Sequence, residues 1–495
     1  MRSAERNTGT RWVALLAGIA ISGCVDEKIV EVPREIYDPP AAEAIGMLGY
    51  SDQASSLTSC GNCHVGPQGQ WQESAHADAW AGLQDSGHAQ EFCEGCHTVN
   101  ELGNTLAETA GYNAVPEDRY HDVQCESCHG PGLDHVEEPG ANSMLAPLDV
   151  GLDNTEGCGE CHQGAHHPFA EQWLLSGHSG VNFASERDGC NACHSGGGAL
   201  EAWNVRTSYI EQDGDALSIT CGVCHDPHGS DFEGQLRFPV GGVPIEQNLC
   251  SQCHDRRTVP DPGSSHGLHP HSPETAMLSG EAGFFFPGMI IDRGDIIATH
   301  GSGAHERLGA GCHVVSTTIT DEATGEFVFE AVGHTFQAAP CVDENGIPTG
   351  EDCGIATTDR DYESSCATSG CHGSASGAQA VMLTATLRFE NLAEELMALL
   401  IQVDPGLEEP GGEIDPEDGV ITTAEGAFFN HSLAEFGGTD RPSPLLAYAA
   451  AAAHNPFLTE QLLLASIDAV ETEYGVSASP QLNRSRTFLV DGATQ

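Results

Sequence analysis

The chain has 495 residues, with 18 Lys and Arg against 73 Asp and Glu and a formal net charge of −55 at pH 7. A surface of that sign repels nucleic acid and anionic lipid, which argues against binding to either and suits cationic partners or metal ions. Lys28 is the only lysine, 6% of residues are aromatic and 59 are glycine, so much loop is expected, and the lysine-poor acidity also suits solubility in high salt.

Arg2, Arg6 and Arg11 lead into a short apolar run over 12–21, which reads as an export signal. The run is too short to span a bilayer. It ends Ile21-Ser22-Gly23-Cys24, which resembles a bacterial lipoprotein cleavage site and implies acylation of Cys24. Val25 stands where aspartate is associated with inner-membrane retention, so the resemblance favours the outer membrane, periplasmic face or cell surface. An ordinary signal peptide with an incidental cysteine is the alternative. Residues 24–50, with Pro33, Pro39 and Pro40, read as a tether.

The pattern C-x-x-C-H then occurs seven times. Its thiol pairs are Cys60 and Cys63, Cys93 and Cys96, Cys125 and Cys128, Cys158 and Cys161, Cys190 and Cys193, Cys221 and Cys224, and Cys250 and Cys253. C-x-x-C-H is the attachment signal for c-type haem: the thiols add to the two vinyl groups and the histidine becomes the proximal iron ligand. The proximal set is His64, His97, His129, His162, His194, His225 and His254. Zinc sites need no histidine after every second cysteine, and seven such pairs make a poor disulfide framework. Q-W-x-x-S-x-H follows the first and fourth motifs, ending at His76 and His178, so a three-haem unit is duplicated over 60–157 and 158–249.

A degraded third copy follows from Cys250. In G-A-G-C-H, Gly309 replaces the first cysteine, and Cys312-His313 is either a ninth haem site with one thioether or a lost site. Cys366, Cys371 and His372 form a longer C-x4-C-H, read as the eighth haem. Cys341 and Cys353 lack a following histidine and are expected to form a disulfide, next to a strand over 326–329 that suggests a hairpin. Helices are expected over 377–403, with Val381, Leu387, Leu392, Leu396 and Leu399 as its apolar stripe, and over 457–474. The stretch 413–425 fails the register of a calcium loop and reads as an acidic turn. The expected organisation is an array over 51–300, a degenerate unit with insertion over 301–375, a helical part over 376–475 and a tail over 476–495.

Eight of the 25 histidines are proximal, leaving 17 for eight irons. A second histidine closes the iron and makes an electron carrier; an open position admits substrate. The distal candidates are His76, His121, His135, His178, His228, His271, His334 and His454.

With C-E-S-C-H-G-P-G-L-D-H from Cys125 and the two W-x-x-S-x-H elements, the chain resembles bacterial multihaem c-type cytochromes over about residues 50–375. The similarity is to the tetrahaem cytochrome of ammonia oxidation and its larger outer-membrane and extracellular relatives. The H-N-P segment at His454 is similar to the C-terminal end of several of them. The resemblance implies a mainly α fold with extensive irregular loops, wrapped around stacked haems that are mostly bis-histidine. It implies electron transfer with other redox proteins, such as periplasmic or outer-membrane cytochromes or a porin-cytochrome assembly, with a homo-oligomer or filament left open. The competing reading is a reductase or dehydrogenase for nitrite, hydroxylamine or a sulfur oxyanion, with one five-coordinate haem. The chain departs from the family at Gly309 and in the Cys366–Cys371 spacing.

Overall fold

The computed structural model describes residues 37–478, apart from 152–155, 209, 211–215, 242–243, 245–246, 290–299, 301–308, 352, 368–371, 409–418 and 437–443. The export signal, Cys24, Cys371 and residues 413–418 of the acidic turn therefore lie outside the described residues.

The fold is mainly helical turns joined by long irregular loops, with two small antiparallel ladders, Tyr50–Asp52 on Leu57–Thr58 and Thr317–Thr320 on Phe327–Ala331. The second ladder is a hairpin, and the Cys341–Cys353 disulfide follows it, with Cα atoms 5.9 Å apart. No helix among the described residues is long and apolar enough to cross a membrane.

Most C-x-x-C-H motifs make one tight turn closed by the histidine N–H on the first cysteine's carbonyl, as in His64 to Cys60 (2.9 Å), His162 to Cys158 (2.9 Å) and His254 to Cys250 (2.8 Å). On such a turn, residues three apart share a face, so both thiols point the same way. Apolar clusters in this half are small. Met47, Val99, Ala110 and Tyr120 form one, and Leu148, Ala199, Leu200 and Val223 another. Repeats of this length are too short to build their own core.

The W-x-x-S-x-H elements fold alike. Trp71 Nε1 donates to Val123 O and Trp173 Nε1 to Ile219 O, each at 2.8 Å. Val123 N and Ile219 N in turn donate to His76 O and His178 O, each at 3.1 Å. Each tryptophan thereby pins the loop carrying its histidine to the strand of chain just before the third motif of the unit.

The main apolar core lies in the C-terminal helical body. The long helix Ala375–Val403 starts where Ser374 Oγ accepts from Gly377 N (3.1 Å). It buries Phe389, Leu392, Leu396, Leu399 and Leu400 against Leu458, Leu462, Leu463 and Ile467 of the last helix, Pro456–Tyr474. Val381 and Leu387, expected on that stripe, are instead 53% and 40% exposed; the stripe runs back through Ala385 and Ala378. Between these helices lies Thr423–Ala434, opened by a Thr422/Glu425 capping box that the acidic-turn reading did not foresee. Residues Ala276, Met277, Ala282 and Phe286, read with the array, belong to this core. Asn430 holds that segment by accepting from Phe284 N (2.7 Å) and donating to Phe284 O (2.9 Å).

Candidate haem centres

Two imidazoles on opposite faces of one iron, each with a bond of about 2 Å, have ring centroids roughly 6 Å apart. That separation recurs throughout the fold. His64 faces His135, His129 faces His228, His162 faces His76 and His254 faces His178, each pair at 6.2 Å. His194 faces His271 at 5.9 Å, His225 faces His334 at 6.3 Å and His372 faces His300 at 6.0 Å. His97 has His167 within electrostatic reach. His313 faces His454 at 6.1 Å.

Several of these histidines have one ring nitrogen tied down, which fixes the tautomer and leaves the other nitrogen for a metal. His97 Nδ1 donates to Ala79 O (2.8 Å), His334 Nδ1 to Val332 O (3.0 Å), and His313 Nδ1 to Phe336 O (2.8 Å). His254 Nδ1 pairs instead with Glu274 Oε2 at 3.4 Å. The Glu274 carboxylate beside it raises the basicity of His254, while burial lowers the pKa of His162, His178 and His454, each to about 4. Imidazoles so lowered stay neutral at physiological pH, as ligation requires.

Seven of the eight distal candidates, His76, His135, His178, His228, His271, His334 and His454, lie in these pairs. His121 does not: it stacks on Trp80, with centroids 3.9 Å apart and planes 9° apart, and its Nε2 lies 3.8 Å from Asp118 Oδ1. Proximity to the third motif in sequence is overruled by the Trp80 ring, which occupies its face. His167 and His300 are the partners that the sequence reading missed. His167 sits in G-A-H-H-P-F, where a doubled histidine was the only signal, and nothing around His300 marks it.

The thiols lie close to one another across sites. Cys60 is within interaction range of Cys125, Cys96 of Cys161, Cys158 of Cys221 and Cys193 of Cys253, and all eight are free. Cys128 lies within electrostatic reach of Cys158, and Cys224 of Cys250. The same contacts thus repeat in both units: first to third and third to fourth, then fourth to sixth and sixth to seventh. The second motif abuts the fourth, and the fifth abuts the seventh. The two stretches interlock, since His76 faces His162 of the fourth motif and His228 faces His129 of the third, while His167 lies within electrostatic reach of His97 of the second.

Comparison with known families agrees with the attachment motifs. The model described as cytochrome c554 and c-prime matches residues 59–130, and the doubled CXXCH motif matches residues 214–258. Seven attachment motifs, a mainly helical, loop-rich fold and these matches make the chain a bacterial multihaem c-type cytochrome. Among individual proteins, it is similar to the multiheme cytochrome MtrA of Shewanella baltica (strain OS185), with 29% identity over 174 residues, covering 31% of this chain and 46% of that protein. It is 25% identical over 153 residues to the C-type polyheme cytochrome OmcC of Geobacter sulfurreducens (strain ATCC 51573 / DSM 12127 / PCA), covering 29% of this chain and 18% of that one. The chain thus spans under half the length of either relative. The crystal structure of the outer cell wall cytochrome OcwA aligns with a TM-score of 0.49 at 18% identity, over 86% of this chain and 100% of that one.

Proposed function

We propose that the chain is an electron-transfer conduit that holds haem c at its seven C-x-x-C-H motifs and at Cys366, Cys371 and His372. The observation that carries this reading is the pairing: each of these eight proximal histidines has a second histidine placed opposite or close to it. Haem c, when bound, supplies the one-electron chemistry. The paired histidines would hold the iron and leave small ligands no place on it, and the packing of the motifs keeps successive sites close. The closeness of the cysteines supports an order of first, third, fourth, sixth, seventh, with the second and fifth as side branches at the fourth and seventh.

The lipoprotein-like Cys24 supports anchoring at the outer membrane, facing the periplasm or the cell surface, and the partners are other redox proteins there. The acidic surface favours cationic docking patches on those partners. A reductase would need one open iron. Electron paramagnetic resonance of the oxidised, detergent-purified protein tests the choice. Low-spin signals from every iron are expected; a high-spin, ligand-accessible haem overturns the carrier reading and makes nitrite and hydroxylamine the first substrates to try.

A further inference from the structure

We infer that Cys312, His313 and His454 hold an additional haem, attached through a single thioether and placed between the seventh site and the site of His372. The inference rests on the multihaem reading above.

The first observation is the backbone. Residues 309–313 form the same turn as an intact motif although the first cysteine is absent. Cys312 N and His313 N both donate to Gly309 O, at 3.0 and 2.8 Å, as Cys253 N and His254 N donate to Cys250 O at 3.2 and 2.8 Å. Gly309 itself has helical backbone angles, φ −43° and ψ −37°, so nothing about its conformation calls for glycine. A Cβ there would meet no atom within 4 Å among the described residues, which leaves room for a side chain where a thiol would stand.

The second observation is the pair. His313 faces His454 at 6.1 Å with planes 20° apart, in the range of the intact sites. His313 Nδ1 is tied to Phe336 O, and the buried His454 Nδ1 has no hydrogen-bond partner among the described residues. Two buried imidazoles brought face to face across that distance are costly unless something polar or metallic satisfies them. His454 is also fixed from behind, because Asn455 next to it caps the last helix and donates to Met277 O at 2.9 Å.

The third observation is position. His313 lies within electrostatic reach of His254 of the seventh site, and His454 within reach of His300, which faces His372. The 309–313 site therefore continues the file of sites from the array to the Cys366 region.

Attachment is balanced by one addition. The Cys312 thiol adds across one vinyl group: one S–C bond forms, the C=C π bond breaks, and the thiol hydrogen moves to the neighbouring vinyl carbon, with no net change in electrons. Gly309 offers no second thiol, so the other vinyl double bond stays conjugated with the ring.

The test uses the full-length protein matured in a host that attaches c-type haem. It is denatured with a disulfide reductant, alkylated with iodoacetamide, digested with pepsin and read by mass spectrometry. The peptide containing Cys312 is expected to carry one haem and no alkyl group. The reduced pyridine complex is expected to show a component at longer wavelength than the rest, from the retained vinyl. Gly309→Cys is expected to remove that component without changing the haem count, and Cys312→Ala to lower the covalent count by one. Alkylated Cys312, with haem on the C-x-x-C-H peptides, overturns this inference and leaves the multihaem reading intact. Alkylated cysteines in the seven motifs overturn the multihaem reading itself.

Discussion

Asn455 is the hinge on which the C-terminal helical body presents His454, and its replacement should show how firmly that histidine is held. The side chain is fully buried and does two things: Oδ1 accepts from Leu458 N at 3.0 Å as the cap of the last helix, and Nδ2 donates to Met277 O at 2.9 Å. Losing the cap costs about 0.5–2 kcal/mol. Met277 O keeps a second donor, Gly280 N at 3.1 Å, so losing the other bond costs nearer the net value of a hydrogen bond, about 1 kcal/mol, than the cost of a fully stranded acceptor. Asn455→Ala should therefore lose about 1.5–3 kcal/mol, and Asn455→Ser, which keeps a capping oxygen and loses only the donor, about 1 kcal/mol. Urea titration followed by far-ultraviolet circular dichroism reads the difference as midpoint shifts at constant slope. Equal losses for Ala and Ser, or a loss below about 0.5 kcal/mol for Ala, would refute the assignment of both roles to this side chain.

His178→Ala should open the site of His254 and introduce one high-spin signal in the resonance spectrum, whereas His121→Ala, which removes a ring stacked on Trp80, should leave every iron low-spin; a high-spin signal from the second variant contradicts the pairing. Arg388 Nε and Glu460 Oε1 form a buried ion pair at 2.9 Å between the long helix and the last helix, with side chains 6% and 1% exposed. Glu460→Leu alone should cost about 3–5 kcal/mol by stranding the guanidinium, and Arg388→Met added to it should recover most of that loss, as read by the same titration. Trp71→Phe and Trp173→Phe should each cost about 1 kcal/mol through loss of the equivalent bonds to Val123 O and Ile219 O; unequal midpoint shifts would show that the two elements are held differently.

The class of the chain and its seven C-x-x-C-H motifs were legible directly, because the chemistry of covalent attachment is local. Two thiols and a histidine must sit on one turn, so they must sit together in sequence. The Cys341–Cys353 bridge, the hairpin and the two main helices were legible for the same reason, from cysteine context, alternation and apolar spacing. The capping box at Thr422 was hidden by the acidic run before it, and the 274–289 segment's place in the helical core by its closeness in sequence to the seventh motif.

The opposite side of each iron obeys no such locality. His76 and His178 stand out through their repeated W-x-x-S-x-H setting, but nothing in that setting says that they face His162 and His254, three motifs further on. His167 and His300 carry no local mark, and His121 carries a misleading one. A second imidazole need only arrive about 6 Å from the first, from any part of the chain that packing brings there. The sequence by itself therefore determined the class of the chain and where its attachment motifs lie. Tertiary packing alone decided which histidines meet, in what order the sites touch, and that the G-A-G-C-H turn stands in line with the others.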